Sequence, residues 1–264
     1  MAEKIRLLST DFDGTLVAHH LNGEGSRDSV FDPPCMKMIG EMQCAGAIWA
    51  INTGRSMDLL ESGLTDFDFP VRPDFILTSE RDVFRPCQNG RAWEPFGDWN
   101  ERVAREHADL YASASSIYAD VVDFVQRYTH AQILHDRHGP EGLIAQSEEE
   151  LARIISFIDE ARAGHPTFHY QHNTVYLRFC HADYHKGAAL AELSRLIEIP
   201  RENTFAAGDH HNDLSMLDGR YAAFTACPAN AVSEVKAAVR ASGGYVAESE
   251  AGAGIYEALL YFTS

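Results

Sequence analysis

The stretch STDFDGTLV (residues 9–17) decides the fold class, because it places two carboxylates directly behind a short apolar segment. The residues before it, IRLLST (residues 5–10), predict a short buried strand. Asp and Gly are poor strand residues, so the strand should end at about Asp11. In an open α/β sheet, ligands bind beyond the carboxyl ends of the strands, which is where Asp11 and Asp13 would lie. A simple turn is the alternative, since Asp-Gly is common in turns.

The segments that follow this stretch, and those near the end of the chain, alternate between predicted helices and strands. The first set comprises a loop over residues 18–34, a helix over 34–45, a strand over 47–51, a helix over 56–62 and a strand over 75–78. The last set comprises a helix over residues 186–199, strands over 204–207 and 221–226, and a helix over 231–241. This βαβ order predicts a parallel sheet with right-handed crossovers.

The middle of the chain follows a different pattern. It comprises a long helical stretch over residues 98–128, short strands over 131–138 and 141–146, a helix over 147–164 and a hairpin over 166–180. Strands and helices without βαβ alternation indicate a small α+β domain. The predicted fold is therefore α/β, a Rossmann-like doubly wound parallel-sheet core (residues 1–82 and 181–264) with an inserted α+β domain (residues 83–180).

Composition excludes several classes of partner. The net charge of −17 on 264 residues argues against electrostatic binding to nucleic acid or to an anionic membrane. No apolar run approaches the ~20 residues of a membrane span, and the N-terminus lacks the apolar core of a signal peptide. The cysteines are scattered without a CxxC pair, which predicts reduced thiols and a cytoplasmic location. The sequence gives no indication of the oligomeric state.

Four polar segments each follow a predicted core strand or open a core helix, namely residues 11–15, 52–55, 185–187 and 208–213. Together they supply four carboxylates, a hydroxyl, an amide, an Arg and a Lys, a set that suits phosphoryl transfer with a divalent metal. A phosphate dianion repels a bare carboxylate nucleophile, and Mg²⁺ held by oxygen ligands cancels that repulsion. Thr53, Lys186 and main-chain N–H groups can hold the phosphate oxygens.

The two carboxylates of the opening stretch would then have different functions. One can attack phosphorus and form an aspartyl-phosphate. The second can protonate the leaving oxygen and later deprotonate water. Nearby positive charge from Mg²⁺ and Lys186 would keep Asp11 ionised, because opposite charges lower the pKa of a carboxyl group.

These segments resemble the four motifs of the haloacid dehalogenase-like hydrolase superfamily. DFDGTL matches the first motif, with Asp11 as nucleophile and Asp13 as acid/base; INTGR matches the second, with Thr53; HKGAAL matches the third, with Lys186; and GDHHNDLSML matches the fourth. The resemblance implies Mg²⁺ bound by Asp11, the main-chain carbonyl of Asp13, and Asp209. It makes Asp213 a further carboxylate of the metal site that holds water or Lys186. It also implies phosphate contacts from Thr53, Gly54, Asn212 and the Phe12 backbone.

The position of the insert narrows the resemblance. Only 53 − 11 = 42 residues separate Asp11 from Thr53, whereas 186 − 53 = 133 separate Thr53 from Lys186. A cap domain in the later gap resembles the Cof-type phosphatases with a type IIB cap and the sucrose-phosphatase-like proteins. The implied activity is a Mg²⁺-dependent phosphomonoesterase acting on a small phosphorylated metabolite, most simply a sugar phosphate. A phosphotransferase or phosphomutase, or a non-catalytic phosphometabolite-binding module, are the alternatives.

Several assignments stay open, and two segments depart from the family pattern. Lys186 could be a solvated lysine at a helix start, and Asp209 and Asp213 could be helix caps. Arg55 either reaches the substrate or is solvated. Residues 78–82 (TSERD) stand where many relatives have Asn-Gly, and the loop over residues 17–32 is unusually long. Histidines of the insert could bind sugar hydroxyls or be solvated, and its two Trp side chains are expected in the cap core; these residues are His130, His135, His138, His165, His169, His172, Trp93 and Trp99.

Overall fold

The computed structural model describes residues 5–21, 27–66, 69–88, 90, 92–135 and 139–264. His138 and the central part of the predicted loop, residues 22–26, lie outside the described residues. The chain divides into two compact units, one formed by Met1–Asn100 with Lys186–Ser264 and the other by Glu101–His185. No helix in the described part of the chain is long and apolar enough to cross a membrane.

The first unit is built on an eight-stranded sheet, ordered β14-β13-β12-β1-β4-β5-β6-β7. Its strands are β1 (Leu7–Thr10), β4 (Ile48–Asn52), β5 (Phe75–Thr78), β6 (Asp82–Pro86), β7 (Trp93–Pro95), β12 (Thr204–Ala207), β13 (Phe224–Cys227) and β14 (Tyr245–Val246). From β14 to β5 every pairing is parallel. The chain leaves β1 in both directions along the sheet, so the predicted α/β doubly wound fold is confirmed.

Helices cover both faces of this sheet, as a parallel sheet requires. They are α1 (Pro33–Cys44), α2 (Met57–Asp66), α6 (Lys186–Leu196), α7 (Leu214–Leu217), α8 (Ser233–Ala241) and α9 (Ala251–Thr263). Asp32 caps α1 by accepting a hydrogen bond from Cys35 N–H at 2.8 Å. A core cluster joins Trp49 and Phe205 of the sheet to Met36 of α1 and Ile255 of α9. Both β14 and α9 are absent from the sequence-based prediction.

The predicted loop over residues 18–34 is wrong in most of its length. Strands β2 (Val17–Leu21) and β3 (Arg27–Phe31) form an antiparallel pair in which Val17 lies opposite Phe31. Val17 is fully buried, and the Phe31 ring lies 5.1 Å from that of Phe69. Packing of the hairpin ends onto the core therefore outweighs the polar composition of the segment.

The second unit is an α+β arrangement with a four-stranded antiparallel sheet, ordered β10-β11-β9-β8. Its elements are α4 (Ser115–Tyr128), β8 (Gln132–His135), β9 (Pro140–Ile144), α5 (Glu148–Ala161), β10 (Phe168–Asn173) and β11 (Tyr176–His181), and most of α3 (Trp99–Ser113) belongs to it. Its core joins Phe168 and Phe179 of the sheet to Tyr118 of α4 and Ile154 of α5. The predicted single helix over residues 98–128 is two helices, with a break at Ala114.

The observed units divide after Asn100, whereas the predicted boundary lies after residue 82. The reason is that β6 pairs antiparallel with β5, and β7 with β6, so both strands extend the large sheet. Trp99 Nε1–H donates to Arg81 O at 2.7 Å, and Trp93 stands in β7 and packs on the core of the first unit. Neither Trp is therefore a core residue of the second unit, and the prediction that both lie in the cap core is wrong. A hairpin sequence does not reveal which sheet edge it will join.

Candidate active site

The carboxyl ends of β1, β4 and β12 meet at one edge of the large sheet. Thr10 pairs with Ile51 on one side and with Ala207 on the other, so the residues that follow these strands are neighbours. All four predicted polar segments come together at this edge. Oxygen atoms of Asp11, Asp209 and Asp213 lie within 4.8 Å of one another.

Lys186 is the cation of this cluster, and it is completely buried. Its Nζ atom lies 2.8 Å from Asp11 Oδ1 and 2.6 Å from Asp213 Oδ1. Burial by itself lowers the pKa of Lys186, but the carboxylates of Asp11 and Asp213 outweigh it and raise that pKa above the ordinary value. Asn52 Nδ2–H donates to Lys186 O at 3.0 Å and fixes the start of α6. Lys186 is therefore no solvated helix-start lysine.

Asp213 holds Lys186 rather than presenting a free carboxylate. Besides the bond to Lys186, its Oδ2 atom accepts hydrogen bonds from the N–H groups of Asp209 at 2.9 Å and His210 at 3.0 Å. A Cβ on Gly208 would lie 2.3 Å from Asp213 Cγ, so only glycine fits there. Both oxygens of Asp213 thus have protein partners, which suits a residue that orients the lysine and the loop after β12.

Residues of the first motif contact Asp209 and hold its carboxylate in place. Thr15 Oγ1–H donates to Asp209 Oδ1 at 2.7 Å. Gly14 has a φ of 76°, and a Cβ there would lie 2.4 Å from Asp209 Oδ2. Both residues after Asp13 are therefore needed for the contact with Asp209. Gly14 makes the turn that brings the backbone close to Asp209, and Thr15 supplies the hydroxyl that donates to it.

The carboxylates outnumber the cation, and their pKa values reflect this. Burial, followed by the charge of Asp213, raises the pKa of Asp209 to about 7. The pKa of Asp11 is raised well above its usual range by burial and by Asp213, against which Lys186 acts. A site of oxygen donors that is short of positive charge fits a hard divalent cation such as Mg²⁺. Asp11 and Asp209 are the side chains that could hold such a cation.

Asp13 is not one of the three clustered carboxylates, and its side chain pairs with Arg55. The guanidinium donates twice, from Nε to Oδ2 at 2.7 Å and from Nη2 to Oδ1 at 2.6 Å. Arg55 also donates to Leu59 O at 3.1 Å and lies 4.8 Å from the centre of the Phe12 ring. The ion pair with Asp13 means that Arg55 is not simply solvated, whereas its contact with substrate stays a prediction.

The predicted phosphate-binding residues follow three strands: Phe12 comes after β1, Thr53 and Gly54 after β4, and Asn212 after β12. Thr53 is buried, and its Oγ1 accepts from Arg55 N–H at 3.1 Å. A Cβ on Gly54 would lie 3.7 Å from Asn212 Nδ2, so Gly54 and Asn212 are neighbours. The Phe12 ring is buried and stacks on Phe69 at 5.5 Å, which leaves the Phe12 backbone for any ligand contact.

Two other polar residues of the site were absent from the predicted set. Glu80 accepts a hydrogen bond from Asn212 Nδ2 at 2.9 Å. Asn230 Nδ2–H donates to Gly14 O at 2.8 Å, and its Oδ1 accepts from Ala251 N–H at 2.8 Å. The departure of residues 78–82 from the family pattern was the available signal for Glu80, whereas no sequence signal marked Asn230.

His210 and His211 follow Asp209 directly, but they contact each other and Glu234. Their ring centres are 4.8 Å apart, and His211 Nε2 lies 3.8 Å from Glu234 Oε2. Neither is among the three clustered residues whose side chains could hold a metal in the described part of the chain. Both side chains are partly exposed, so they are lining or surface residues of the site.

The family model for haloacid dehalogenase-like hydrolases matches residues 106–259, more than half of the chain. The chain belongs to the haloacid dehalogenase-like hydrolase family. The predicted family is therefore confirmed, although the matched residues include Lys186 and Asp209 and exclude Asp11.

Solved structures of this family share the fold at low sequence identity. The chain is similar to the sucrose-phosphatase from Synechocystis sp., solved with sucrose and phosphate, with a TM-score of 0.70, 18% identity and coverage of 98% of both chains. It is similar to the HAD subclass IIB sugar phosphatase BT4131, with a TM-score of 0.63, 19% identity and coverage of 98% and 99%. It is also similar to a haloacid dehalogenase-like hydrolase protein from Bacillus subtilis, with a TM-score of 0.58, 14% identity and coverage of 99% and 93%. No curated protein matches the chain.

Proposed function

We propose that this hydrolase is a phosphomonoesterase that cleaves a small phosphorylated metabolite through an aspartyl-phosphate on Asp11. The observation that carries the proposal is the buried group at the sheet edge, in which Lys186 Nζ lies 2.8 Å from Asp11 Oδ1. A second carboxylate, Asp13, stands two residues away, outside the cluster and held by Arg55. The site thus contains one carboxylate beside a fixed cation and another that is separately oriented.

In the first step an oxygen of Asp11 forms a bond to phosphorus, and the bond from phosphorus to the ester oxygen breaks. The leaving oxygen takes its proton from the Asp13 carboxyl group, so a neutral alcohol departs. Lys186 stabilises the charge near Asp11 throughout, because it is fully buried and carries no exposed surface to exchange partners with water. Arg55 holds Asp13 at both oxygens and so limits its orientation.

In the second step Asp13, now ionised, takes a proton from a water molecule, whose oxygen bonds to phosphorus. The bond from phosphorus to Asp11 breaks, inorganic phosphate leaves, and both carboxyl groups return to their starting states. Transfer of the phosphoryl group to a second sugar hydroxyl would make the same chain a phosphotransferase or mutase. The two reactions differ in whether inorganic phosphate is released.

Mg²⁺ is the proposed cofactor. The residues that would hold it are Asp11, Asp209 and, through its main-chain carbonyl, Asp13. Asp213 would support them by accepting from Lys186 and from Asp209 N–H. When bound, it would neutralise the charge of the phosphate dianion and of the clustered carboxylates. The proposal is supported by the all-oxygen donor set and by the raised pKa of Asp209, about 7. Both observations describe a site that gains stability from added positive charge.

A sugar phosphate is the proposed substrate. The support is the likeness in fold to a sucrose-phosphatase and to a sugar phosphatase over almost the whole of each chain. We also propose the second unit, residues 101–185, as the cap that this subclass carries between its second and third motifs.

The test is release of inorganic phosphate from sugar phosphates, nucleotides and p-nitrophenyl phosphate, with Mg²⁺ and with EDTA. Asp11→Asn keeps the size of the side chain but removes the nucleophile, and we expect turnover to fall by about a thousandfold or more. The surface variant Asp218→Asn is the matched control and should retain wild-type turnover. Near-normal turnover by Asp11→Asn would refute the nucleophile, and release unaffected by EDTA would refute the metal.

A further inference from the structure

Glu80 lies in a left-handed turn beside the proposed phosphate-binding residues, and none of the motifs gives it a function. Ser79 and Glu80 have φ angles of 52° and 66°, which residues other than glycine seldom adopt. Ser79 N–H donates to Arg55 O at 2.9 Å, and Glu80 N–H donates to Thr53 O at 3.0 Å. The unusual backbone is therefore maintained by hydrogen bonds to the loop that contains Thr53 and Gly54.

This turn places the Glu80 side chain in the interior, where it is 7% exposed. Its Oε1 atom accepts from Asn212 Nδ2 at 2.9 Å and lies 3.3 Å from the position of a Cβ on Gly54. Because Glu80 accepts this bond, the amino group of Asn212 faces Glu80 and its carbonyl faces away. Glu80 thus determines which end of the Asn212 amide lies over Gly54.

The contact is incomplete as a structural interaction. Glu80 Oε2 and Asn212 Oδ1 are both buried, and neither has a hydrogen-bond partner among the described residues. Buried polar atoms without partners weaken a fold, so stability does not explain why a carboxylate stands here. Departures from local rules of this kind concentrate at functional sites.

We propose that Glu80 is a positioning residue that turns the amino group of Asn212 toward the phosphate group of the substrate. A phosphate dianion offers only acceptors, so it needs the donor end of an amide beside Thr53 and Gly54. The Asn212 amino group carries two hydrogens. One donates a hydrogen bond to Glu80, and the other is left to donate to a phosphate oxygen. This inference rests on the proposed function and assigns one further residue to that site.

The test is a double-mutant cycle on p-nitrophenyl phosphate turnover, with kcat and KM measured separately. Glu80→Ala should lower kcat/KM about tenfold, as expected for loss of one hydrogen bond to a charged group. Glu80→Gln keeps an acceptor oxygen and should restore kcat/KM to within about threefold of wild type. In an Asn212→Ala background, Glu80→Ala should have no further effect, because the two residues act as a unit. Ser79→Ala alters the same turn without removing the carboxylate and is the matched control, expected to show wild-type kinetics.

Wild-type kinetics in Glu80→Ala, an additive loss in the Asn212→Ala background, or equal losses in the Ala and Gln variants would each overturn the inference. Glu80→Asn, a residue type that tolerates positive φ, replaces the Ala variant if melting curves show that the latter is unfolded. These outcomes leave the proposed function standing so long as Asp11→Asn is inactive. Absence of phosphate release by the wild-type protein would refute the proposed function and this inference together.

Discussion

Replacement of Asp213 by Asn tests whether the buried cluster needs a carboxylate in which both oxygens accept hydrogen bonds. Asp213 Oδ1 accepts from Lys186 Nζ at 2.6 Å, and its Oδ2 accepts from two main-chain N–H groups, those of Asp209 and His210. An amide of the same shape has only one acceptor oxygen. Whichever way the Asn side chain turns, its NH₂ group faces either the lysine ammonium or the two N–H groups.

The expected loss of stability follows from this geometry. Lys186 and Asp213 are both completely buried, so solvent cannot replace the lost partner. Lys186 keeps Asp11 as a charged partner at 2.8 Å, so the loss arises from the hydrogen bonds of Asp213, and a buried donor left unsatisfied costs about 1–3 kcal/mol. For a chain of this size that corresponds to a decrease in melting temperature of about 2–12 °C.

The assay is urea and thermal unfolding of the wild type and the variant, each with EDTA. Asp218→Asn is the matched control, because Asp218 also accepts from a main-chain N–H and from a cation, both of Arg220, at 2.9 Å and 2.6 Å. The Arg220 side chain is 63% exposed, so this change should cost less than about 1 kcal/mol. Equal losses in the two variants, or a loss under about 1 kcal/mol in Asp213→Asn, would refute the reasoning.

Two other predictions follow from the charges of the site. Arg55→Lys lacks the planar pair of donors that binds both oxygens of Asp13 in parallel, so we expect turnover of a sugar phosphate, whose leaving oxygen needs a proton, to fall about tenfold. Turnover of p-nitrophenyl phosphate, which has a better leaving group, should be affected less, and an equal loss would count against Asp13 as the acid. Burial raises the pKa of Asp209 to about 7 and that of Asp11 well above its usual range, so the metal-free native state binds more protons than the unfolded state in this window. The free energy of unfolding in EDTA should therefore decrease as the pH rises from about 4 to about 7, by about 4 kcal/mol for Asp209 with an ordinary pKa in the unfolded state, and Mg²⁺ should restore it. A melting temperature in EDTA that increases as the pH rises across this range would contradict the charge balance.

The sequence by itself determined the core fold and the membership of the charged cluster. Strand β1 reads as a short segment that is followed directly by Asp11, and this local pattern needs no tertiary information. Parallel strands bring their carboxyl ends to one edge, so motifs at strand ends must meet there. The distance of Lys186 from Asp11, 2.8 Å, is the outcome of that rule over 175 residues of chain (186 − 11).

Only the tertiary structure decided which partner each polar group takes. Arg55 had no preferred partner in the sequence, because Asp13 reaches it only after β1 and β4 pair. Glu80 became a neighbour of Asn212 through a left-handed turn at residues that ordinarily avoid it. The edge strands β6 and β7 extend the large sheet from β5. The sequence alone did not show that this edge of the sheet was free to pair. Local propensity and strand-end position are properties of short segments, whereas hydrogen-bond partners and sheet edges depend on the competition among all groups that the fold brings together.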